Sequence, residues 1–231
     1  MKHSKRYNES SKKVDRLTEY SLNDAVALLK DMPATKFDQT VEVAINLGID
    51  PKHADQQIRG TVSLPHGIGK TVKVLAITKG EKQKEAKDAG ADVVGFEDIL
   101  EKIEGGWSDI DVIVATPDVM GQLGKHGRIL GPKGLMPNPK SGTVTNDIGK
   151  AVKELKAGRL EIRTDKFGAV HSAVGKLSFD NDKIAENIKS LVSTLMRMRP
   201  AVAKGVYFKN MTISSSMGPG IKVEKTSAGA K

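Results

Sequence analysis

A chain of 231 residues, 38% of them hydrophobic, is long enough to bury one large core or two modest ones, which excludes disorder for most of it. The absence of cysteine excludes disulfides, a thiolate nucleophile and a cysteine-based zinc site. The formal net charge of +9 is concentrated: residues 1–13, 119–146 and 197–231 together hold fourteen net positive charges, leaving −5 for the rest, the distribution of a polyanion binder.

Residues 1 to about 20 are basic and polar, the composition of a tail that orders only on a partner. Ser21 with Asp24 three places on resembles a capping box, and Ala25, Val26, Leu28 and Leu29 follow on a helical period that Pro33 ends. From Thr40 the period becomes two. Val41, Val43, Ile45 and Leu47 share one face and Thr40, Glu42 and Asn46 the other, a strand with one buried side. Asp50-Pro51 marks a connection to a second strand over residues 57–64. Pro65-His66-Gly67-Ile68-Gly69 is a hinge candidate, and the pattern changes after it. Residues 72–78 and 110–115 read as predominantly apolar strands, residues 91–95 fit a short strand, and residues 81–89 and 97–103 fit charged helices. Apolar strands alternating with helices predict a parallel sheet covered on both faces, a Rossmann-like three-layer α/β region. It continues through a Gly-rich segment and a helix near residues 146–156 to Ala157-Gly158. Period two then returns: Leu160 and Ile162, a turn at Asp165-Lys166-Phe167-Gly168, and Val170, Ser172 and Val174 read as a hairpin. Asp180 or Asn181 can cap a helix with Ile184, Ile188, Leu191 and Leu195 on one stripe and Pro200 past its end, and a last strand fits about residues 205–213.

Neither flank has enough strands to cover its own helix, whereas the two together give an α+β sheet with two helices. The expected fold is therefore two domains. A discontinuous α+β domain of residues 1–67 and 159–231 is interrupted by the Rossmann-like α/β insert of residues 68–158, with a hinge where the chain crosses near 66–70 and 157–159.

The stretch GQLGKHGRILGPKGLMPNPKSG, residues 121–142, carries Lys125, Arg128, Lys133 and Lys140, and nothing acidic occurs from Val119 through Asn146. A backbone this rich in glycine and proline can present N–H groups and four cations to a phosphate-bearing partner. A solvated basic loop over an α/β domain is the plainer alternative. Residues 64–71, LPHGIGKT, have the Gly-Lys-Thr end of a P-loop, but Leu64 stands where a glycine lets the loop wrap phosphate, which disfavours an NTPase. Thr78-Lys79-Gly80 is too poor in glycine for a dinucleotide turn. The five histidines are scattered, with no HExxH and no paired carboxylates at a recognisable spacing, so no catalytic, metal or cofactor site is expected. The longest apolar runs fall far short of a membrane span and none follows the basic N-terminus as a signal peptide would require, so a cytoplasmic protein without a membrane partner is expected.

The order of residues in GRILGPKGLMPNPKSGTV resembles the signature segment of the ribosomal protein L-one family of the large ribosomal subunit, and the resemblance extends over nearly the whole chain. It implies a non-enzymatic RNA-binding protein with no cofactor. The implied partners are the stalk helices of large-subunit 23S-type rRNA, other large-subunit components, exit-site tRNA whose release the family assists, and in bacteria the protein's own operon mRNA, repressed through a mimic of the rRNA site. The family's RNA site lies mainly on the discontinuous domain. Its motifs match Lys36-Phe37-Asp38-Gln39-Thr40-Val41-Glu42 and Ser216-Met217-Gly218-Pro219-Gly220, expected to meet across the sheet. Arg163, Lys166, Gly168 and His171 in the hairpin match as well, and Asn210 and Ser216 stand where the family leads one to expect Ser and Thr. Lys125, Arg128, Lys133 and Lys140 are implied as secondary contacts to rRNA or tRNA. Short polar groups and glycine backbone can approach ribose 2′-hydroxyls, Phe37 and Met217 offer apolar contact, and Lys36, Arg163 and Lys166 suit phosphates. Without the resemblance, Phe37 reads as a core residue. Two other classes compete: a nucleotide-binding α/β enzyme, disfavoured by the broken P-loop, and a general RNA chaperone, which explains the charge but not the localised constellations.

Overall fold

The computed structural model describes residues 3–33 and 35–229. In chain order the first flank supplies α1 (Lys5–Lys12), α2 (Leu22–Lys30), β1 (Thr40–Leu47) and β2 (Arg59–Ser63). The middle supplies β3 (Val74–Ile77), α3 (Lys82–Asp88), β4 (Val93–Gly95), α4 (Glu97–Glu104), β5 (Val112–Ala115), the single turns α5 (Met120–Leu123) and α6 (Gly127–Leu130), and α7 (Ile148–Lys156). The last flank supplies β6 (Arg159–Arg163), β7 (Ala169–Lys176), α8 (Asn181–Arg197), β8 (Phe208–Ser215) and β9 (Ile221–Val223). The chain divides into two compact units, one of residues 1–69 with 160–231 and the other of residues 70–159.

In the first unit the two flanks build one antiparallel sheet of order β7-β1-β8-β9. Strand β1 holds its centre, with Val43 opposite Ser172 on one side and Ile213 on the other. Its alternation decides which face is buried: Val41, Val43, Ile45 and Leu47 enter one core with Leu22, Val26 and Leu29 of α2 and Ile184, Ile188, Leu191 and Leu195 of α8. Ser21 caps α2, its hydroxyl accepting from the Asp24 N–H at 3.3 Å and donating to the Asp24 carboxylate at 2.6 Å. The helix stops at Lys30, before Pro33, with Asp31 as its C-cap. Within α8 the fully buried Asn187 accepts from the His66 N–H and donates to the carbonyls of Gly67 and Val174, pinning residues 66–67 to the helix.

Three readings of the flanks change. Helix α1 replaces the expected N-terminal tail over its range, capped by the Ser4 hydroxyl, and Lys13 just beyond it binds the Asp31 carboxylate at 2.6 Å. At the other terminus the chain continues past the expected last strand into β9, and Ser227 accepts from the Leu22 N–H at 3.1 Å, covering the start of α2. Residues 1–2 and 230–231 lie outside the described residues. The hairpin is also different: β6 pairs with β2 in a separate two-stranded sheet, and only a bridge from Thr164 to Val170 joins it toward β7. Period two identifies a strand but does not choose its neighbour.

The second unit has a parallel sheet of order β4-β3-β5. Its strands are apolar throughout because both faces are covered. Leu75, Ile77, Ile113 and Ala115 pack with Ile99 and Ile103 of α4, whereas Val74, Ala76 and Val114 pack with Ala86 of α3 and with Ile148 and Val152 of α7. The Gly-rich stretch is corrected from an open loop to a run of short helical turns, held down by the fully buried Leu123 and Leu130. Residues 67–71 lead into β3 with no helix after them, so they lack the helix N-terminus that a P-loop aims at phosphate.

Candidate nucleic-acid interface

Because α2 and α8 cover one face of the four-stranded sheet, the even-numbered side of β1 is left to solvent. Cross-strand register arranges that side in rows: Ala173, Glu42 and Ser214; His171, Ala44, Thr212 and Lys222; Ala169, Asn46 and Asn210. Glu42, His171, Asn210 and Lys222 are exposed. A strand of eight residues makes this face about 25 Å long. Thr212, Ser214 and Lys222 also belong to it; the two-residue period of the last expected strand reaches Thr212, whereas Ser214 and Lys222 lie past its expected end.

One end of the face is closed by a clasp between the start of β1 and the end of β8. The Thr40 N–H donates to the Ser216 hydroxyl at 3.1 Å, the Ser216 N–H returns a bond to the Thr40 carbonyl at 3.0 Å, and the Lys176 ammonium holds the Thr40 hydroxyl at 3.0 Å. The buried Gln39 side chain accepts from the Met217 N–H at 3.1 Å, and Arg6 of α1 donates to the Met217 carbonyl at 3.3 Å. These bonds fix the backbone while leaving the apolar side chains outside: Phe37 is 55% exposed and Met217 51%. Lys36 and Phe37 line a cleft of about 510 Å³ with Lys30, Leu177 and Ser178. Gly218 is required by crowding, since a Cβ there would lie 2.4 Å from the Ser215 hydroxyl.

Toward the other end, the turn after β6 is organised by Asp165. Its carboxylate accepts from the N–H groups of Phe167 and Ala169, both at 2.8 Å, and lies 3.5 Å from the His171 ring. The Ala169 bond, then the Phe167 bond and the imidazole, hold this carboxyl below the ordinary carboxylate value. Gly168 takes φ +79° and is buried, its carbonyl accepting from the Leu47 N–H at 3.0 Å, so it shapes the turn and does not itself reach the surface. Arg163 and Lys166 are exposed and line a second cleft of about 350 Å³ with Pro51 and Gln57. Among the described residues Lys36, Arg163 and Lys166 enter no ion pair.

The predicted residues therefore do not form one cluster. Lys36, Phe37, Thr40, Glu42, Ser216, Met217 and Gly218 gather at the clasp, while His171 and Asn210 lie farther along the same face, and Arg163, Lys166 and Gly168 belong to the end of β6 and the Asp165 turn that leads into β7. Lys125, Arg128, Lys133 and Lys140 are exposed on the second unit. Among the described residues no group of three or more His, Asp or Glu side chains is placed to hold a metal ion, and no helix is long and apolar enough to cross a membrane.

Residues 28–219 match the sequence profile of the ribosomal protein L1p/L10e family. The chain belongs to that family. It is 60% identical over 221 residues to the large ribosomal subunit protein uL1 of Chlorobaculum tepidum and 57% identical over 221 residues to that of Chlorobium luteolum, each alignment covering 96% of both chains. Membership in the L1p/L10e family makes the chain a structural ribosomal protein and not an enzyme. The profile spans the clasp, the Asp165 turn and the Gly-rich turns, whereas α1 and β9 fall outside it.

Proposed function

We propose that this protein binds the rRNA of the large ribosomal subunit through the open sheet face of its first unit. The observation that carries the reading is the pairing of an uncovered polar face with free cations and two rigidly based apolar side chains, in a chain whose relatives are named as large-subunit proteins. Hydroxyls and carboxamides of Thr212, Ser214, Asn46 and Asn210 suit the 2′-hydroxyls of a folded RNA, and Glu42 can accept from them. Lys36, Arg163, Lys166 and His171 sit where phosphates would run, Phe37 and Met217 offer apolar contact beside Ser216, and Thr40, Gly168 and Gly218 set the backbone under them.

On this reading the two compact units are domains: a discontinuous RNA-binding domain, residues 1–67 and 159–231, and an α/β insert, residues 68–158. The insert adds Lys125, Arg128, Lys133 and Lys140 as screened phosphate contacts to the stalk rRNA or to exit-site tRNA, whose release the protein assists on the cytoplasmic ribosome. A shorter RNA with the same fold, in the protein's own operon mRNA, competes for the sheet face and is repressed by it. Titration of the full chain against a transcript of the large-subunit stalk tests the core of this. Affinity should fall steeply with salt as phosphate contacts release counterions. A curve that does not move with salt, or residues 70–159 binding as tightly as the whole chain, would refute it.

A further inference from the structure

Phe167 is 85% exposed at the tip of the Asp165 turn, so its ring contributes almost nothing to the core. The turn that carries it is nevertheless heavily restrained. The Asp165 carboxylate accepts from the Phe167 and Ala169 N–H groups, the Asp165 N–H donates to the Ala169 carbonyl at 2.8 Å, and the Gly168 carbonyl is tied to Leu47 of the central strand. A large apolar ring held outward on a rigid base loses little freedom when something stacks on it. Its immediate neighbour Lys166, together with Arg163, lines the polar cleft closed by Pro51 and Gln57, and among the described residues neither cation is engaged in an ion pair.

An aromatic face beside two free cations fits a nucleotide whose base is not already paired: the ring takes the base and the guanidinium and ammonium take the adjoining phosphates. We propose that Phe167 is a stacking platform for an unpaired base of the bound RNA, with the flanking phosphates held by Arg163 and Lys166. The inference rests on the RNA-binding reading above and adds to it a second, aromatic anchor, far along the sheet face from Phe37 and Met217. It also brings the residue 48–57 connection into the interface, through Pro51 and Gln57.

The test is equilibrium binding of the full chain to the large-subunit stalk transcript across a range of salt. Base stacking removed by Phe167→Ala should weaken binding about 5- to 100-fold with the salt slope unchanged, because no phosphate contact is lost. Arg163→Ala or Lys166→Ala should instead reduce that slope. Phe167→Trp should keep the native affinity, and its emission, read over that of Trp107, should be quenched as RNA is added. If the wild-type chain binds and Phe37→Ala is weakened while Phe167→Ala binds within about twofold of wild type, the stacking inference is overturned and the interface stands. That result would also leave a protein as the occupant of the ring. If the wild-type chain does not bind the transcript, both readings fall.

Discussion

Replacing Asn187 with alanine should destabilise the first unit by an amount that its three hydrogen bonds define. The carboxamide accepts from the His66 N–H at 3.1 Å and donates to the Gly67 carbonyl at 3.0 Å and the Val174 carbonyl at 2.7 Å, so its orientation is set by its partners. The Val174 bond is buried, and leaving that carbonyl without a donor costs about 1–3 kcal/mol. The His66 and Gly67 groups are only partly buried and can take up water, so each contributes nearer the net value of a hydrogen bond, about 0.5–1.5 kcal/mol. The expected total is about 2–6 kcal/mol. Asn187→Leu restores volume but not bonds and should remain nearly as unstable as the alanine variant. Urea unfolding followed by far-UV circular dichroism reads the loss as a lower midpoint. Trp107, the single tryptophan, lies in the other unit, and its fluorescence transition should stay in place. A midpoint change worth less than about 1 kcal/mol, or a leucine variant as stable as wild type, would refute the hydrogen-bond account.

The remaining expectations concern the interface. Phe37→Ala and Met217→Ala should each cost about 1–3 kcal/mol in affinity for both the stalk rRNA and the operon mRNA, while Lys125→Ala and Lys133→Ala weaken the rRNA modestly and the mRNA hardly at all. Competitive titration of the two RNAs against the four variants checks this, and central changes that abolish mRNA binding would move the regulatory site to the second unit. Gly218→Ala drives a methyl group onto the Ser215 hydroxyl and should cost about 1–2 kcal/mol in stability, most of it recovered in a Ser215→Ala background; thermal melts of the single and double variants would expose a non-steric cause if no rescue appears. The Asp165 carboxyl is held below its ordinary value in the folded chain, so its support of the turn is present above that ordinary value and is lost as pH falls through the lowered one. Protection of the Phe167 and Ala169 amides, taken relative to their intrinsic exchange rates, should therefore fall only in acid, and Asp165→Asn should remove that fall.

Much of this fold can be read from residue order because the decisive signals are local. Ser21 and Asp24 announce α2, the alternation from Val41 to Leu47 separates the core face from the open face of β1, and two-sided burial makes β3 and β5 apolar throughout. What escapes is what distant partners decide. Helix α1 buries only Ser10, so it shows no apolar period, and its end is held by Lys13 reaching Asp31. The Gly-rich stretch reads as a loop by composition, yet Leu123 and Leu130 sink into the α/β core and wind the glycines into helical turns. Asn187 looks like any polar residue on a helix, and only the packing of residues 66–67 against α8 gives it a purpose. Motif resemblance grouped the interface residues by chemistry, whereas the strand geometry spreads them along the sheet; Phe167 matched no motif and emerges only from its exposure.

The sheet order also sets a sequence of events during synthesis. Every strand of the parallel sheet has been made once Ala115 has left the ribosome, and its contacts are short in sequence, so that sheet can close early. Strand β1 is made sooner but has no neighbour of its own: its partners are β7 and β8, and the bond from Thr40 to Ser216 closes a separation of 176 residues. Until then the apolar side chains of Val41, Val43, Ile45 and Leu47 stand open on an unpaired strand, the kind of edge that invites aggregation. The clasp closes only when the end of β8 has been made, so a nascent chain released before β8 keeps the strands of the parallel sheet but cannot complete the surface proposed for RNA. Possession of that whole surface thus marks a chain translated at least through β8.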